Sequence, residues 1–392
     1  MKDVVIVSAA RTPIGTMGGS LASFRQRDLA AVVMKEVIDR TRLSAQLVDD
    51  VFFGCCNNSS EDVNVARVGL LEAGFPETVP GATINRVCLS GMEAIASAVR
   101  KIQCGEADIC IAGGVETMSN CPYVIKCARW GAKLRHQELT DTLWEGLYAG
   151  GPEIMGITAE NVAAKYGVSR EDQDEAALRS HKNAERATGE GRFKDEIVPV
   201  KYTRRDKEII VEKDEHFRRG LTIEQLAALP PMFKKDGTVT AGNSSGINDG
   251  AAAVLIMSRE RAKELGLRPI VKFVAAGLAG VHPSVMGISP VPATEKALAR
   301  AKMQLGDIQL IEVNEAFAAQ YVACERLLGL NREITNVNGS GIGLGHPVGC
   351  TGTRIVVSLI YEMMKRNVET GLASLCGGGG IGMTTIWERM EK

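Results

Sequence analysis

Val87-Cys88-Leu89-Ser90-Gly91 and Val348-Gly349-Cys350-Thr351-Gly352 read as two versions of one element, a glycine-containing elbow that opens a helix. Their surroundings repeat in the same order. Val51-Phe52-Phe53-Gly54 answers Ile311-Glu312-Val313-Asn314, and Ala112-Gly113-Gly114 answers Cys376-Gly377-Gly378. Three ordered matches point to an internal duplication. In the first copy the strand-like run Val4 to Val7 precedes Leu29, Val32, Val33 and Val37, which follow the spacing of a helix face. Val51 to Phe53 and Thr83 to Val87 are further strands, Ile95, Ala98, Val99 and Ile102 form a helical stripe, and Ile109 to Ala112 is a strand ending in two glycines. The second copy offers strands at 270–274, 310–313, 334–337 and 372–376, with helices near 293–301 and 354–364. This βαβ rhythm predicts an α/β fold with a mostly parallel sheet and helices on its faces.

Composition narrows the function. The 392 residues carry 46 Lys+Arg against 47 Asp+Glu, a formal net charge of −1, which selects neither nucleic acid nor another polyanion as partner. No apolar run reaches the length of a membrane span. Ten cysteines without C-x-x-C pairs or even spacing predict free thiols in a reducing compartment, hence a cytoplasmic protein. The five scattered histidines give no metal-ligand spacing. Glycine is the outlier: 42 of 392 residues is about 11%, against an average near 7%, so backbone is packed or presented closely somewhere.

The copies divide the chain into residues 1–119 with 249–269, and residues 270–392. Residues 120–248 do not repeat. Ser169-Arg170-Glu171-Asp172 in this insertion has the pattern of a capped helix start. Its basic pairs Arg204-Arg205, Arg218-Arg219 and Lys234-Lys235 fit either a solvated surface or a lid over a phosphate-bearing ligand.

Three residues stand out chemically. Cys88 sits where a strand gives way to a helix, and the helix amides and dipole there should ease its ionisation below the free value of about 8.5. His346 follows the glycine run Gly339-Ser340-Gly341-Ile342-Gly343-Leu344-Gly345 and is locked by Pro347, a placement suited to reaching into a cleft. That run completes neither a P-loop nor G-x-G-x-x-G. Cys376 ends a strand before Gly377 to Gly380, whose bare backbone can aim amides at a ligand. Asn314 leaves its strand at the same edge, where open α/β folds bind ligands. His136, His181, His216 and His282 lie in polar or irregular contexts and read as surface residues.

Together with Gly113 to Ser119, Asn314 to Ala318, Gly345-His346-Pro347 and Thr240 to Gly250, these segments closely resemble the thiolase family, acetyl-CoA C-acetyltransferases and 3-ketoacyl-CoA thiolases, over essentially the whole chain. The resemblance implies a five-layer αβαβα fold built from two duplicated βαβαβαββ halves, with the insertion as a loop domain covering coenzyme A. It implies that Cys88 takes the acyl group as a thioester, that His346 activates it, and that Cys376 moves the proton at the substrate α-carbon or on the leaving thiol. It implies two oxyanion sites, one from His346 with a water on Asn314, the other from the amides of Cys88 and Gly378. Arg218, Phe233, Ala241, Ser245 and Phe317 occupy its coenzyme A positions. Met155, Met286 and Phe317 match positions that wall the acyl end.

Coenzyme A enters as substrate and product, with no permanently bound cofactor, and the family builds dimers or dimers of dimers. The expected reaction is reversible condensation of two acetyl-CoA to acetoacetyl-CoA, with thiolysis of longer 3-ketoacyl-CoA in β-oxidation as the alternative. Gly150 to Met155 departs from short-chain members, which often carry a histidine just before the methionine. A decarboxylating ketosynthase relative is disfavoured by a cysteine at 376, and an inactive coenzyme A ester-binding scaffold by the presence of every catalytic position.

Overall fold

The computed structural model describes residues 2–134 and 136–390. Nine strands build the main sheet: β1 Val4–Arg11, β2 Asp50–Gly54, β3 Gly81–Ile84, β4 Ile109–Thr117, β5 Asn248–Ser258, β6 Val271–Gly280, β7 Leu310–Val313, β8 Thr370–Gly377 and β9 Ile381–Arg389, with the short Gly15–Thr16 pairing on β5. The helices that matter here are α1 Gln26–Asp39, α2 Ser90–Gln103, α3 Met155–Tyr166, α4 Arg170–Gly189, α5 Pro290–Ala301, α6 Ala318–Leu328 and α7 Val348–Arg366.

The duplication is visible in strand order and direction. One half runs β1-β5-β4-β2-β3, with β1 and β4 antiparallel to β5, and β2 parallel to both β4 and β3. The other runs β6-β9-β8-β7, with β6 and β8 antiparallel to β9 and β7 parallel to β8. The two halves meet edge to edge through only two residue pairs, Val5 with Lys272 and Ile6 with Val271, which makes one continuous sheet path. Most of its pairings are antiparallel, so the mostly parallel sheet expected from the sequence is instead mixed, because β5 and β9 each run antiparallel to both of their neighbours in their half.

Side-chain alternation makes the five layers. Val4 and Ile6 of β1 join the central core with α2 and α7, while Val5 and Val7 face the outer core under α1. On the other half Ala373 and Leu375 of β8 point into the central core. Leu372 of β8 and Ile311 and Val313 of β7 face the outer core with α6. Strands buried on both faces explain why these runs are apolar throughout instead of alternating with polar residues. The insertion contributes α3 and α4, which pack on α6, and a two-stranded ribbon at 200–211. Ser169 caps α4 as its sequence predicts, its Oγ accepting from Asp172 N at 3.1 Å while Asp172 accepts from Ser169 N at 2.9 Å.

Three boundaries differ from the sequence reading. The expected strand at 83–87 stops at Ile84, because Val87 adopts φ +51 inside the elbow. The run 334–337 is irregular and contributes a single parallel bridge, Ile311 with Thr335. The strand expected to end at Gly113 and Gly114 continues to Thr117, and the glycines are there for a packing reason. A Cβ at Gly114 would fall 3.0 Å from Cys350 Cα, so α7 lies directly on this strand.

The same crowding governs the crossing of α2 and α7. A Cβ on Gly91 would meet Thr353 Oγ1 at 2.7 Å and Gly349 O at 2.9 Å, and one on Gly352 would meet Met92 Cβ at 2.9 Å. Gly352→Ala is therefore expected to destabilise the protein by about 1–3 kcal/mol through overpacking, seen as a lower urea midpoint. Gly189→Ala, where nothing lies within 4 Å, is the control without loss. Equal midpoints for the two variants would contradict the close crossing.

Candidate active site

Cys88 precedes α2, and its elbow is held by Ser90, whose Oγ accepts from Arg86 N at 2.8 Å and donates to Val87 O at 2.6 Å. The β-branched Val87 at φ +51 is strained backbone fixed by those bonds. The Cys88 sulfur is buried, and the backbone amides of Gly378 and of Cys88 itself favour its thiolate. Burial outweighs those amides and pushes the thiol up to about 11. This corrects the expectation of easy ionisation: the helix terminus is present, but the site is too dry for it to win.

Because Gly91 abuts Gly349, the residues three positions earlier in each copy, Cys88 and His346, lie at the same end of the crossed helices. Val87 and Val348 line one cavity of about 180 Å³ beside them. His346 is buried, and its N–H donates to Asn248 Oδ1 at 2.9 Å. Gly345 before it has φ +101, and a Cβ there would strike the Asn248 amide, so only glycine fits. Burial, followed by the positive charge of Arg354, lowers His346 to about 3 and keeps the imidazole neutral.

Its tautomer is assigned from one neighbour that sequence reading passed over. Thr351 Oγ1 donates to Pro347 O at 2.9 Å and lies 2.6 Å from His346 Nδ1. A hydroxyl has one proton, so with that proton on Pro347 O it accepts from Nδ1–H. Nε2 is left as the basic nitrogen. The i+5 spacing of Thr351 from His346 across a helix start is the signal that could have found it.

Cys376, at the end of β8, is buried, and its thiol is pushed well above the ordinary range by burial and then by Cys88. Two residues on, Gly378 reaches the elbow: a Cβ on it would lie 3.4 Å from Val87 Cγ1 and 3.0 Å from Met155 Cε. Asn314 is fully buried at the end of β7, and neither its Oδ1 nor its Nδ2 has a hydrogen-bond partner among the described residues. A buried amide costs roughly 1–3 kcal/mol when unpaired, so this side chain is suited to hold a water. Met155, Met286, Ala316 and Phe317 pack with Cys376 in one cluster.

The coenzyme A positions are placed unevenly. Phe233 stands edge-to-face on Phe317 at 6.2 Å, and Ser245 N donates to Ala316 O at 2.9 Å, so Phe233, Ser245 and Phe317 adjoin the methionine cluster. Ala241 and Arg218 are exposed. Two surface assignments are corrected. His181 is buried and His216 half-buried, stacked at 6.2 Å beneath Arg218, whose N–H donates to His181 Nδ1 at 3.2 Å. Burial lowers them to about 3 and about 4. Their polar sequence context reflects the polar interior of the insertion. His136 and His282 are exposed as expected.

Residues 4–260 match the thiolase N-terminal domain and residues 267–389 the thiolase C-terminal domain. The chain is 47% identical to an acetyl-CoA acetyltransferase of Syntrophomonas wolfei, over 99% of this chain and 100% of that protein. It is 46% identical to a probable acetyl-CoA acyltransferase of Staphylococcus aureus, over 98% and 99%. Among solved structures, the Bacillus anthracis acetyl-CoA acetyltransferase matches with a TM-score of 0.98 at 51% identity, covering 100% and 99% of the two chains. The human mitochondrial 3-ketoacyl-CoA thiolase matches with a TM-score of 0.96 at 42% identity, covering 99% of each.

Two predictions follow from the histidines. Thr351→Val should lower turnover roughly tenfold or more by leaving Nδ1–H unpaired, and Thr351→Ser should restore it. Equal turnover in all three proteins would contradict the tautomer assignment. Between pH 6.5 and 5 the unfolded chain protonates His181 and His216 while the folded chain does not, so acidification destabilises. Replacing both by Gln should shrink the stability loss between pH 7 and pH 5 by about 2 kcal/mol per histidine, read from denaturation midpoints. An unchanged pH dependence would contradict their burial as neutral rings.

Proposed function

The chain belongs to the thiolase family, and from that premise we propose that it catalyses reversible Claisen condensation of two acetyl-CoA to acetoacetyl-CoA and coenzyme A through an acyl-enzyme on Cys88. The observation that carries this reading is the meeting of the Cys88 elbow with the end of β8, where the Gly378 backbone packs on Val87 and both that backbone and the Cys376 thiol act on the Cys88 sulfur.

Burial disfavours both charges of a thiolate–imidazolium pair, so the resting site is neutral and proton transfer accompanies attack. Cys88 passes its proton to His346 Nε2 as its sulfur adds to the thioester carbonyl, whose oxygen is held by the Cys88 and Gly378 amides. The departing coenzyme A sulfur takes the proton of Cys376. The Cys376 thiolate then removes the α-proton of a second acetyl-CoA, and the enolate oxygen is held by protonated His346 and a water on Asn314. The enolate carbon attacks the acetyl group, and Cys88 leaves and recovers its proton from His346. Protons and charges balance over the cycle.

Phe233, Ser245 and Phe317 hold the pantetheine, Ala241 borders it, and exposed Arg218 faces the nucleotide end. Met155 and Met286 close the acyl end and favour short chains. The protein works in the cytoplasm as a dimer or dimer of dimers. Among the described residues no helix is long and apolar enough to cross a membrane.

Mass spectrometry after mixing with acetyl-CoA should show one acetyl group on the peptide containing Cys88, with thiolysis of acetoacetyl-CoA in the same preparation. An adduct that survives Cys88→Ala would overturn the assignment.

A further inference from the structure

The two stacked histidines serve different neighbours. His181, on α4, accepts from Arg218 N at 3.2 Å and so fixes the backbone that carries the exposed arginine. His216 faces the loop of the catalytic imidazole instead. Its Nδ1 lies 3.3 Å from Asn248 Nδ2, and Asn248 Oδ1 accepts from His346 N at 2.9 Å.

The Asn248 amide has one orientation, because the His346 N–H needs Oδ1 and Gly15 O accepts from Nδ2 at 2.9 Å. The second proton on Nδ2 is therefore donated to His216 Nδ1, which assigns the ring proton to Nε2. A neutral ring is what this acceptor role requires, and burial with the charge of Arg218 keeps it neutral. The fit leaves little slack. A Cβ on Gly246 would lie 2.1 Å from His216 Cε1, and one on Gly345 would lie 2.6 Å from Asn248 Cγ. The next residue, Phe217, shares a buried cluster with Leu344, Ala184 and Ala187. The insertion is thus seated beside the His346 loop at two successive residues, and the ring acts through a single hydrogen-bonded amide.

We propose that His216 is a positioning residue for His346: by holding the Asn248 amide it fixes the His346 backbone, and with it the reach of the imidazole towards Cys88. The proposal rests on the reading of His346 as the base that activates Cys88, and it brings a residue of the insertion into that step. His216 itself touches no reacting atom.

The test compares His216→Leu, His216→Asn and His216→Gln with the wild-type protein. Leucine removes the acceptor. In the asparagine variant an amide oxygen stands on Cγ where Nδ1 stood, whereas the glutamine amide falls near the place of Nε2 and misses Asn248. Alkylation of Cys88 by iodoacetamide, followed by mass spectrometry of its peptide, reads proton transfer to His346 without any coenzyme A. The leucine and glutamine variants should slow it at least about tenfold, within the 10²-fold that misplacement of a reacting group can cost, and the asparagine variant should restore most of the rate. In thiolysis of acetoacetyl-CoA the same order should appear in kcat with KM little changed, while His181→Leu, which frees Arg218 N and leaves Asn248 alone, should act mainly on KM.

Equal alkylation rates in all four proteins would overturn the proposal. So would losses that asparagine does not repair and that follow the urea midpoint, since they would mark His216 as a merely structural ring. Equal kcat losses in His181→Leu and His216→Leu would overturn it as well. The expected order of alkylation in a protein without acetoacetyl-CoA turnover would support the positioning role and be a failure of the functional reading alone.

Discussion

The close crossing of α2 and α7 is the constraint on which the site depends. Two helices carrying ordinary side chains keep axes 8–10 Å apart, and here backbone meets backbone because Gly54, Gly91, Gly114, Gly349 and Gly352 have nothing to interpose. Glu116 locks the node from β4. Its buried carboxylate accepts from Gly349 N at 2.9 Å in one copy of the duplication and from Cys56 N at 3.0 Å and Asn57 N at 3.1 Å in the other. One carboxylate thus pins the start of α7 to the loop after β2. Moving either helix by the width of a methyl group would shift Cys88 relative to His346.

The same packing sets the electrostatics. A helix N-terminus stabilises a negative charge by about 0.3–1 kcal/mol at an exposed site. The rise of Cys88 to about 11 corresponds to about 3 kcal/mol against the thiolate, so dehydration decides. His346 is held neutral by the same dryness and by Arg354, which is itself fully buried. A site that keeps its two thiols and its imidazole neutral at rest stores no charge on them for water to screen. Charge on them then arises only as a reaction proceeds.

The duplication was legible because it is written in residue types with few substitutes, the glycines and cysteines of the two elbows. Buried strands were legible as apolar runs, down to the alternate facing of Val4 and Ile6 against Val5 and Val7. What escaped the sequence was pairing over long separations. Arg11 leaves β1 as an ordinary basic residue and is fully buried, its guanidinium on Asp214 at 2.7 and 2.9 Å and on Glu196 at 2.6 Å. His181 and His216 looked exposed for the same reason: a polar neighbourhood in sequence does not reveal whether its members face water or one another. The ionisation of Cys88 was misjudged because a motif shows the dipole and conceals the burial.

These long pairings also explain how the insertion can belong to the site without repeating any part of it. Ser180 on α4 accepts from Ser340 N at 3.2 Å and from Gly343 N at 2.9 Å, and donates to Glu315 beside Asn314. Gly339 and Gly343 must be glycine because Ser180 O lies where their Cβ would be. The glycine run leading to His346 is thus a surface shaped to receive a helix of the insertion, which accounts for a glycine-rich loop that follows no phosphate-loop pattern. Asn248, where the insertion returns to the sheet, completes the link through Oδ1 to His346 N and Nδ2 to Gly15 O at 2.9 Å. The insertion and the loop that carries the imidazole are therefore held by the same side chains, and displacing one must disturb the other.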